Sequence, residues 1–322
     1  MNIEIKINLD IYDEWNQEVT QKNQQTFFIS QKFLNYHPKG RFEQFNIFIY
    51  LEEKLYLIIP GTKKQREVFS HNGATYGGVI QFFETEKKNN KEIFIHLKKF
   101  LKKQNVDVLK FRLPPDLFIR KSRNSFLQSI DNIQNLFEEE ETYVDLQNKD
   151  LENLASTGFR RNHQRDIKKI LLINEKIKIE KISKDSEVEE YYKILVMNLK
   201  KHKVLPTHSL DELKWLVSNL SDYIWIDVLK YENKIISGIV HIEMNKNILH
   251  YFYGSIDYTF KYQGAIKYLY WQSMIKAKKL GYNYINFGVD SKFGENTNDN
   301  LKSFKEGFGG THVYRKTVKI DV

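Results

Sequence analysis

The chain has 322 residues, enough for one large or two medium-sized domains, and its 41% hydrophobic content supports folded cores and excludes a disordered chain. It has no cysteine, which excludes disulfides, cysteine nucleophiles and thiolate metal sites. The formal net charge is +9, an excess that attracts polyanions such as nucleic acid, CoA, nucleotide-sugars or anionic lipid headgroups, unless it reflects only a solvated lysine-rich surface.

The first residues, MNIEIKINLD, have neither the basic n-region nor the apolar h-region of a signal peptide. No apolar run approaches the roughly 18 residues that suggest a membrane span. These features predict a cytoplasmic protein without a membrane span, and they leave peripheral contact with a membrane open.

The first half is predicted to alternate short strands with helices. Its predicted elements are a strand at 3–9, a hairpin at 45–59, a glycine-rich loop at 70–81, a helix at 91–103 and a strand at 106–112. A further helix is predicted over 120–141. Its acidic end, Glu138 to Glu141, is interpreted as a solvated turn. A strand at 142–146 leads to a domain boundary, which divides the chain into residues 1–147 and 148–322.

The second half is predicted to begin with a basic amphipathic helix around 159–171. The pattern then predicts a strand at 177–182, a helix at 188–199, a helix opened by the capping box Ser209 to Glu212, three antiparallel strands at 223–231, 234–243 and 248–253, and a closing strand at 311–320.

The stretch from 248 to 310 organises the second half. A short aromatic strand stops at Gly254, and a loop leads to the pair Gly264 and Ala265. A helix with an i, i+3, i+4, i+7 apolar stripe follows, ends at Gly281, and leads to a parallel strand at 282–287. The unpaired amides and the dipole at the start of such a helix suit an anion, although an ordinary strand-to-helix loop fits the pattern equally well.

Several stretches resemble one family. They are SHNGATYGG at 70–78, FRRNHQRDIKK at 159–169, IISGIVHI at 235–242, YFYGS at 251–255, GAIKYLYWQSMIKAKKLGY at 264–282 and LKSFKEGFGG at 301–310. Together they resemble the FemAB-like branch of the GNAT superfamily of N-acetyltransferases. That branch includes peptidoglycan-bridge aminoacyltransferases and related acyltransferases of polysaccharide and lipid gene clusters.

The resemblance implies an α/β (α+β) protein with two tandem GNAT-like domains. Each domain would have a mixed, mainly antiparallel sheet flanked by helices, with the acceptor on the first domain and the donor on the second. It implies a transferase that moves an acyl group from acyl-CoA, including acetyl-CoA, to an amine of a cell-envelope precursor, amino sugar or peptide. The alternatives are an aminoacyl-tRNA donor, as in peptidoglycan-bridge enzymes, and a non-catalytic RNA-binding module. The expected partners are a small-molecule or nucleotide-linked amine acceptor and, under the alternatives, tRNA, but not DNA.

The family's pyrophosphate loop is matched in part. Lys261 and Gly264 fit its basic and glycine positions, Ala265 follows, and Ile266 departs from the pattern. Acyl transfer passes through an oxyanion, which a fixed cation stabilises. The family's Phe-Lys motif makes Lys305 the candidate for that role, against a surface lysine as the alternative.

The acceptor amine must lose a proton, so a general base is useful. Asp290 follows the end of a strand, where it acts either as the base or as a turn residue. His241 and Glu243 share one face of a strand and are candidate bases or satisfied core residues. Candidate substrate-binding residues, each with a core or surface alternative, are His37, His71, Tyr76, Gly77, Tyr253, Arg160, Arg161 and Phe304. No spacing of His, Asp and Glu predicts a metal site.

Overall fold

The structure is a computed structural model that describes residues 1–20, 25–119, 125–201, 203–290 and 298–322. The strands in this part of the chain are β1 (Ile3–Ile7), β2 (Glu43–Gln44), β3 (Ile47–Leu51), β4 (Lys54–Ile59), β5 (Thr62–Lys64), β6 (Glu67–Ser70), β7 (Ile80–Gln81), β8 (Val108–Leu113), β9 (Gln134–Asp145), β10 (Ile177–Ile182), β11 (Ile224–Tyr231), β12 (Lys234–Asn245), β13 (Ile248–Ile256), β14 (Tyr284–Val289) and β15 (Thr311–Asp321). The helices are α1 (Tyr12–Thr20), α2 (Gln31–Leu34), α3 (Lys87–Lys103), α4 (Ser125–Gln128), α5 (Arg161–Leu171), α6 (Asp185–Lys200), α7 (Leu210–Asn219), α8 (Ala265–Lys279) and α9 (Asp299–Glu306). Among the residues described, no helix combines the length and the apolar character that crossing a membrane requires.

The chain forms two compact units. The first comprises residues 1–139 and 314–322, and the second comprises residues 140–313. The chain leaves the first unit within β9 and returns to it within β15. The sequence pattern predicts the closing strand as part of the second half, whereas in the structure its residues 316–321 pair antiparallel with β8 of the first unit.

The first unit contains an antiparallel sheet in the order β1-β3-β4-β7 and a run of strands in the order β15-β8-β6-β5-β2. The predicted hairpin is confirmed as β3 and β4. Its turn residues Glu52 and Glu53 both have positive φ, as a tight hairpin turn requires. The core beneath these strands includes Leu97 and Leu101 of α3, which are fully buried.

The second unit is built on the strand order β10-β11-β12-β13-β14-β9. The predicted antiparallel meander is confirmed as β11, β12 and β13, and β14 pairs parallel to β13 after the crossover helix α8. Tyr191 of α6 packs against Gly238, and Tyr270 of α8 packs against Gly254. Because Gly238 pairs with Ser255, the neighbour of Gly254, the two glycines face opposite sides and helices flank both faces of the sheet.

The acidic run at 138–141 is not the solvated turn that the sequence analysis expects. It lies inside strand β9, where the side chains alternate, so that Glu139 and Glu141 are at most 1% exposed. Glu139 accepts a hydrogen bond from the Arg315 guanidinium at 2.9 Å, which compensates its buried charge. The predicted helix over 120–141 is therefore wrong within the described residues, apart from the single turn α4.

Candidate active site

The parallel strands β13 and β14 separate partway along their length. Their three paired positions end at His250 and Asn286, although both strands continue beyond this point. A β-bulge in the pairing of β13 with β12 falls close by. We call the space between residues 251–256 of β13 and 287–289 of β14 the wedge. Within the described chain no further pairing closes it.

The edge of β13 at the wedge is open to solvent. Gly254 is exposed, and Phe252 and Tyr253 are half-buried, whereas the other residues of this strand are buried. The Tyr270 side chain of α8 lies directly against the backbone here, because a Cβ on Gly254 would lie only 1.8 Å from the Tyr270 hydroxyl oxygen. Burial raises the pKa of Tyr270, so it presents a neutral hydroxyl. The sequence reveals Tyr270 only as part of an apolar helix stripe.

Lys305 lies at the opposite side of the wedge, on α9. It is 4% exposed, and its ammonium group donates to the carbonyl oxygens of Gly288 at 2.9 Å and Val289 at 2.7 Å. It also forms an ion pair with the Asp290 carboxylate at 2.7 Å. Burial lowers the pKa of Lys305, while the charges of Asp290 and Glu141 act in the opposite direction. The three hydrogens of the ammonium group are matched by these three acceptors.

Asp290 is equally enclosed. It is 1% exposed, and its second carboxylate oxygen accepts a hydrogen bond from the Thr142 hydroxyl at 2.6 Å. The structure therefore brings Lys305 and Asp290 together as one buried pair at the end of β14. The sequence gives no signal for the contribution of Thr142.

Glu140, Asp290 and His312 bring potential metal-ligand atoms within 4.8 Å of one another, although their spacing in the chain predicts no metal site. The Lys302 ammonium group bonds to Glu140, and Lys305 pairs with Asp290. Two ammonium groups thus already neutralise the two carboxylates of this group.

The start of α8 follows β13 through a short loop. Gly264 is the N-cap residue, without a side-chain cap, and Ala265 is fully buried behind it. A Cβ on Gly264 would lie 2.5 Å from the Asp166 carbonyl oxygen, so a glycine lets α5 approach closely. Lys261 is exposed and borders a cavity of about 270 Å³ that the aromatic ring of Phe260 also lines. The loop thus places one cation three residues before the helix start.

His241 and Glu243 are buried in the sheet and have partners there. His241 is stacked on Trp225, with Nε2 3.3 Å from the Asp227 carboxylate, and burial lowers its pKa. Burial also acts to raise the pKa of Asp227, but His241 and Lys276 outweigh it and hold that pKa at about 2. Glu243 accepts a hydrogen bond from the Tyr282 hydroxyl and pairs with Lys246 at 2.7 Å.

The other predicted residues of the second unit are Tyr253 on β13, Phe304 on α9, and Arg160 and Arg161 at the start of α5. The Tyr253 hydroxyl accepts from the Thr207 amide at 2.9 Å. Phe304 packs in an aromatic cluster with Phe308. Arg160 occupies the N-cap position of α5 without a side-chain cap and bonds to Ser303 and Glu306 of α9, whereas Arg161 is exposed.

The remaining predicted residues form a group of their own in the first unit. His37 bonds to the carbonyl of Gly73 at 3.0 Å, and its ring lies parallel to that of His71 at 6.0 Å. Burial, with a contribution from His37, lowers the pKa of His71 to about 3. Tyr76 is fully buried, and a Cβ on Gly77 would lie 1.3 Å from the backbone of the neighbouring strand β6.

The chain has an α+β fold of the tandem GNAT class, as the resemblance of its sequence implies. No protein-family model matches the chain, and no curated protein matches its sequence. Among solved structures, the crystal structure of FemX matches 98% of this chain and 97% of its own, with a TM-score of 0.69 and 11% identity. The match to a tandem GNAT protein from the clavulanic acid biosynthesis pathway covers 99% of this chain and 98% of that protein, with a TM-score of 0.53 and 6% identity. The match to L-PGS from Bacillus licheniformis covers 86% of this chain and 84% of the L-PGS chain, with a TM-score of 0.54 and 16% identity. At these identities the likeness shows the fold.

Proposed function

We propose that the chain is an acyltransferase that moves an acyl group from an acyl-CoA-type donor to an amine of a cell-envelope precursor, amino sugar or peptide. The observation that carries this proposal is the wedge between β13 and β14, two strands that the loop at 257–264 and helix α8 connect in the chain. The FemAB-like resemblance of the sequence and the fold that it shares with FemX support the same class of reaction.

The wedge suits an extended donor arm. The exposed backbone at Gly254 offers the edge of a strand that lacks a strand partner on this side within the described residues. An amide-containing arm can hydrogen-bond to such an edge as an added strand does. The donor's phosphates then lie near the start of α8, where the helix dipole and the exposed Lys261 favour negative charge.

The reaction in this proposal is attack of a neutral amine on the thioester carbonyl. The tetrahedral oxyanion collapses to an amide and expels the thiolate of the donor, and the proton that the amine loses passes through water or a base to this thiolate, which leaves as the free thiol. The oxyanion role of Lys305 stays a prediction. The geometry favours a positioning role, because its ammonium hydrogens already hold Gly288, Val289 and Asp290 at the end of β14.

An aminoacyl-tRNA donor is the second candidate. The basic helix α5 favours it, since Arg161, Arg165, Lys168 and Lys169 are exposed along that helix. The same phosphate-binding features at α8 would then receive the end of the RNA.

Thermal unfolding with CoA, acetyl-CoA or bulk tRNA separates the donors. A ligand at about 100 times its Kd stabilises the folded state by about 2.7 kcal/mol. In a unit of this size that raises Tm by about 5 to 10 °C. We expect the shift with CoA and acetyl-CoA. It should be largely lost in Lys261→Glu and retained in Lys184→Glu, a charge reversal at another exposed lysine of the same unit.

Release of free thiol from acetyl-CoA on addition of an amino sugar or a peptide amine then tests the transfer itself. A shift with tRNA alone would reject the acyl-CoA donor in favour of the second candidate. A CoA shift that Lys261→Glu retains in full would show that the loop before α8 does not hold the phosphates.

A further inference from the structure

The outward face of helix α5 carries a stripe of cations that ends in an exposed leucine. Arg161, Arg165, Lys168 and Leu172 follow one another at intervals of four, three and four residues, which places them on one side of a helix. The buried residues of α5 are His163, Ile167 and Ile170, which lie on the opposite side. We call these four outward residues the α5 stripe. It spans about 16 Å along the helix.

The cations of the stripe are available to an external partner. Among the described residues, Arg161 and Lys168 have no side-chain hydrogen bond or ion pair. Arg165 is 68% exposed on its side chain, and its contact with Asp166 is 3.5 Å long. The stripe and the neighbouring Lys169 border an open space of about 490 Å³ along the helix. Within the described part of the chain, the positive charge of this face is therefore offset only in part, by the Asp166 carboxylate at its edge.

The leucine at the end of the stripe distinguishes a membrane from a nucleic acid. Leu172 is 85% exposed, and the adjacent Leu171 is 37% exposed. A phosphate backbone offers such side chains no apolar contact, and the stripe contains no aromatic ring on which a base could stack. A bilayer interface offers anionic headgroups to the cations and acyl chains to the leucines.

We infer that the α5 stripe docks this protein on the surface of an anionic lipid bilayer. The helix would lie in the plane of the interface, with the three cations among the headgroup phosphates and Leu172 inserted beneath them. This arrangement is compatible with an acyl-CoA donor at α8, because the stripe faces away from the core against which α8 packs, whereas a tRNA donor would compete for the same cations.

Helix α3 of the first unit provides a matched control. It also carries exposed lysines, at Lys99, Lys102 and Lys103, and an exposed apolar residue, Ile95. Its exposed apolar residue lies before the lysines in the chain and is 52% exposed, compared with 85% for Leu172. Replacing three cations on either helix changes the net charge equally, so a difference between the variants reports position rather than charge.

Co-sedimentation with vesicles tests the inference. Vesicles of phosphatidylcholine alone are compared with vesicles that also contain phosphatidylglycerol, across a salt series. We expect binding to the anionic vesicles only, weakening as salt rises. The variant R161Q/R165Q/K168Q should lower the partition coefficient about a hundredfold, since each cation near such a surface contributes about fivefold. The control K99Q/K102Q/K103Q should lower it only a few-fold.

A second variant tests the apolar contribution. Leu172→Ser should weaken binding several-fold without changing its salt dependence, because it leaves every charge in place. Circular dichroism and thermal melting confirm that each variant is folded.

Three results would overturn the inference. They are no binding to anionic vesicles, equal binding to neutral ones, or an α3 variant that loses as much affinity as the stripe variant. Binding of bulk tRNA but not of vesicles, lost in R161Q/R165Q/K168Q, would assign the stripe to RNA instead.

Discussion

Replacing Lys305 by methionine tests whether its ammonium group holds the end of β14. Methionine fills a similar volume but cannot donate a hydrogen bond, so Asp290 would remain buried with the Thr142 hydroxyl as its one side-chain partner among the described residues. Removing one partner of a buried ion pair typically costs about 3–5 kcal/mol, because the other charge is left uncompensated. For a unit of this size, the loss corresponds to a fall in Tm of about 6 to 20 °C.

Urea unfolding of a double-mutant cycle measures this coupling. Asp290→Asn should also destabilise the protein, because it leaves a buried ammonium group without its carboxylate. The double variant Lys305→Met with Asp290→Asn should cost clearly less than the sum of the two single changes, since both charges of this buried pair are removed together. Lys302→Met on the same helix is the control. Its pair with Glu140 is partly exposed, with the Lys302 side chain 27% accessible, so it should cost about 1 kcal/mol or less.

The positioning role of Lys305 is refuted if the free energy of unfolding of Lys305→Met lies within about 1 kcal/mol of the wild-type value. A loss that small is near the cost of an exposed ion pair. Such a result, combined with lost acyl transfer, would show that the ammonium group acts on the reacting atoms rather than on β14.

Three further predictions concern the scaffold. The pKa values of His71 and His163 are lowered by burial to about 3 and about 4, so the unfolded state binds their protons first. The free energy of unfolding should therefore be greatest above about pH 6.5. Towards pH 4 it should fall by at most about 1.4 kcal/mol per pH unit for each histidine. The substitution His71→Asn should remove the part of this fall that His71 contributes. Gly77→Ala should destabilise the first unit by more than about 3 kcal/mol, because its Cβ would overlap the backbone of β6. The control Gly40→Ala lies at a positive φ but in open space, so it should cost about 1 kcal/mol in the same urea titration. Ser209→Ala should lower the free energy of unfolding by about 1 kcal/mol, because it removes the side-chain cap of α7. Asparagine can also cap a helix, so Ser209→Asn should retain most of the stability that the cap provides.

The sequence predicts the second unit well because local signals agree with the tertiary structure there. Period-two alternation and tight turns define β11, β12 and β13, and the capping box at Ser209 is present as predicted. Gly281 has a φ of +91°, the left-handed conformation expected of a glycine that ends a helix. These features depend on neighbours within a few residues of each other in the chain.

Strand β9 escapes prediction because its stability depends on distant residues. Four consecutive glutamates have low strand propensity and hide the alternation of inward and outward faces. Glu139 tolerates burial through Arg315, which lies far along the chain. No local pattern reports a charge partner at that separation.

The candidate site is predictable in its parts but not in its assembly. Asp290 and Lys305 can be selected from the sequence by their places after a strand and in a motif. Their direct contact depends on how α9 packs against β14. The placement of Tyr270 against Gly254 is likewise invisible, because an aromatic residue on an apolar stripe predicts only burial.

The end of β14 is held by the side chain of the buried Lys305. In a regular strand, consecutive carbonyl groups point in opposite directions, yet those of Gly288 and Val289 both accept from the same ammonium group of Lys305. Gly288 has a φ of +72°, which breaks the regular alternation at this position. Both carbonyl groups thus have a hydrogen-bond donor that is not a backbone amide, while Val289 still pairs with Glu141 of β9. Lys305 thus fixes this end of β14, and the two carbonyl groups and the Asp290 carboxylate that it binds there account for its burial.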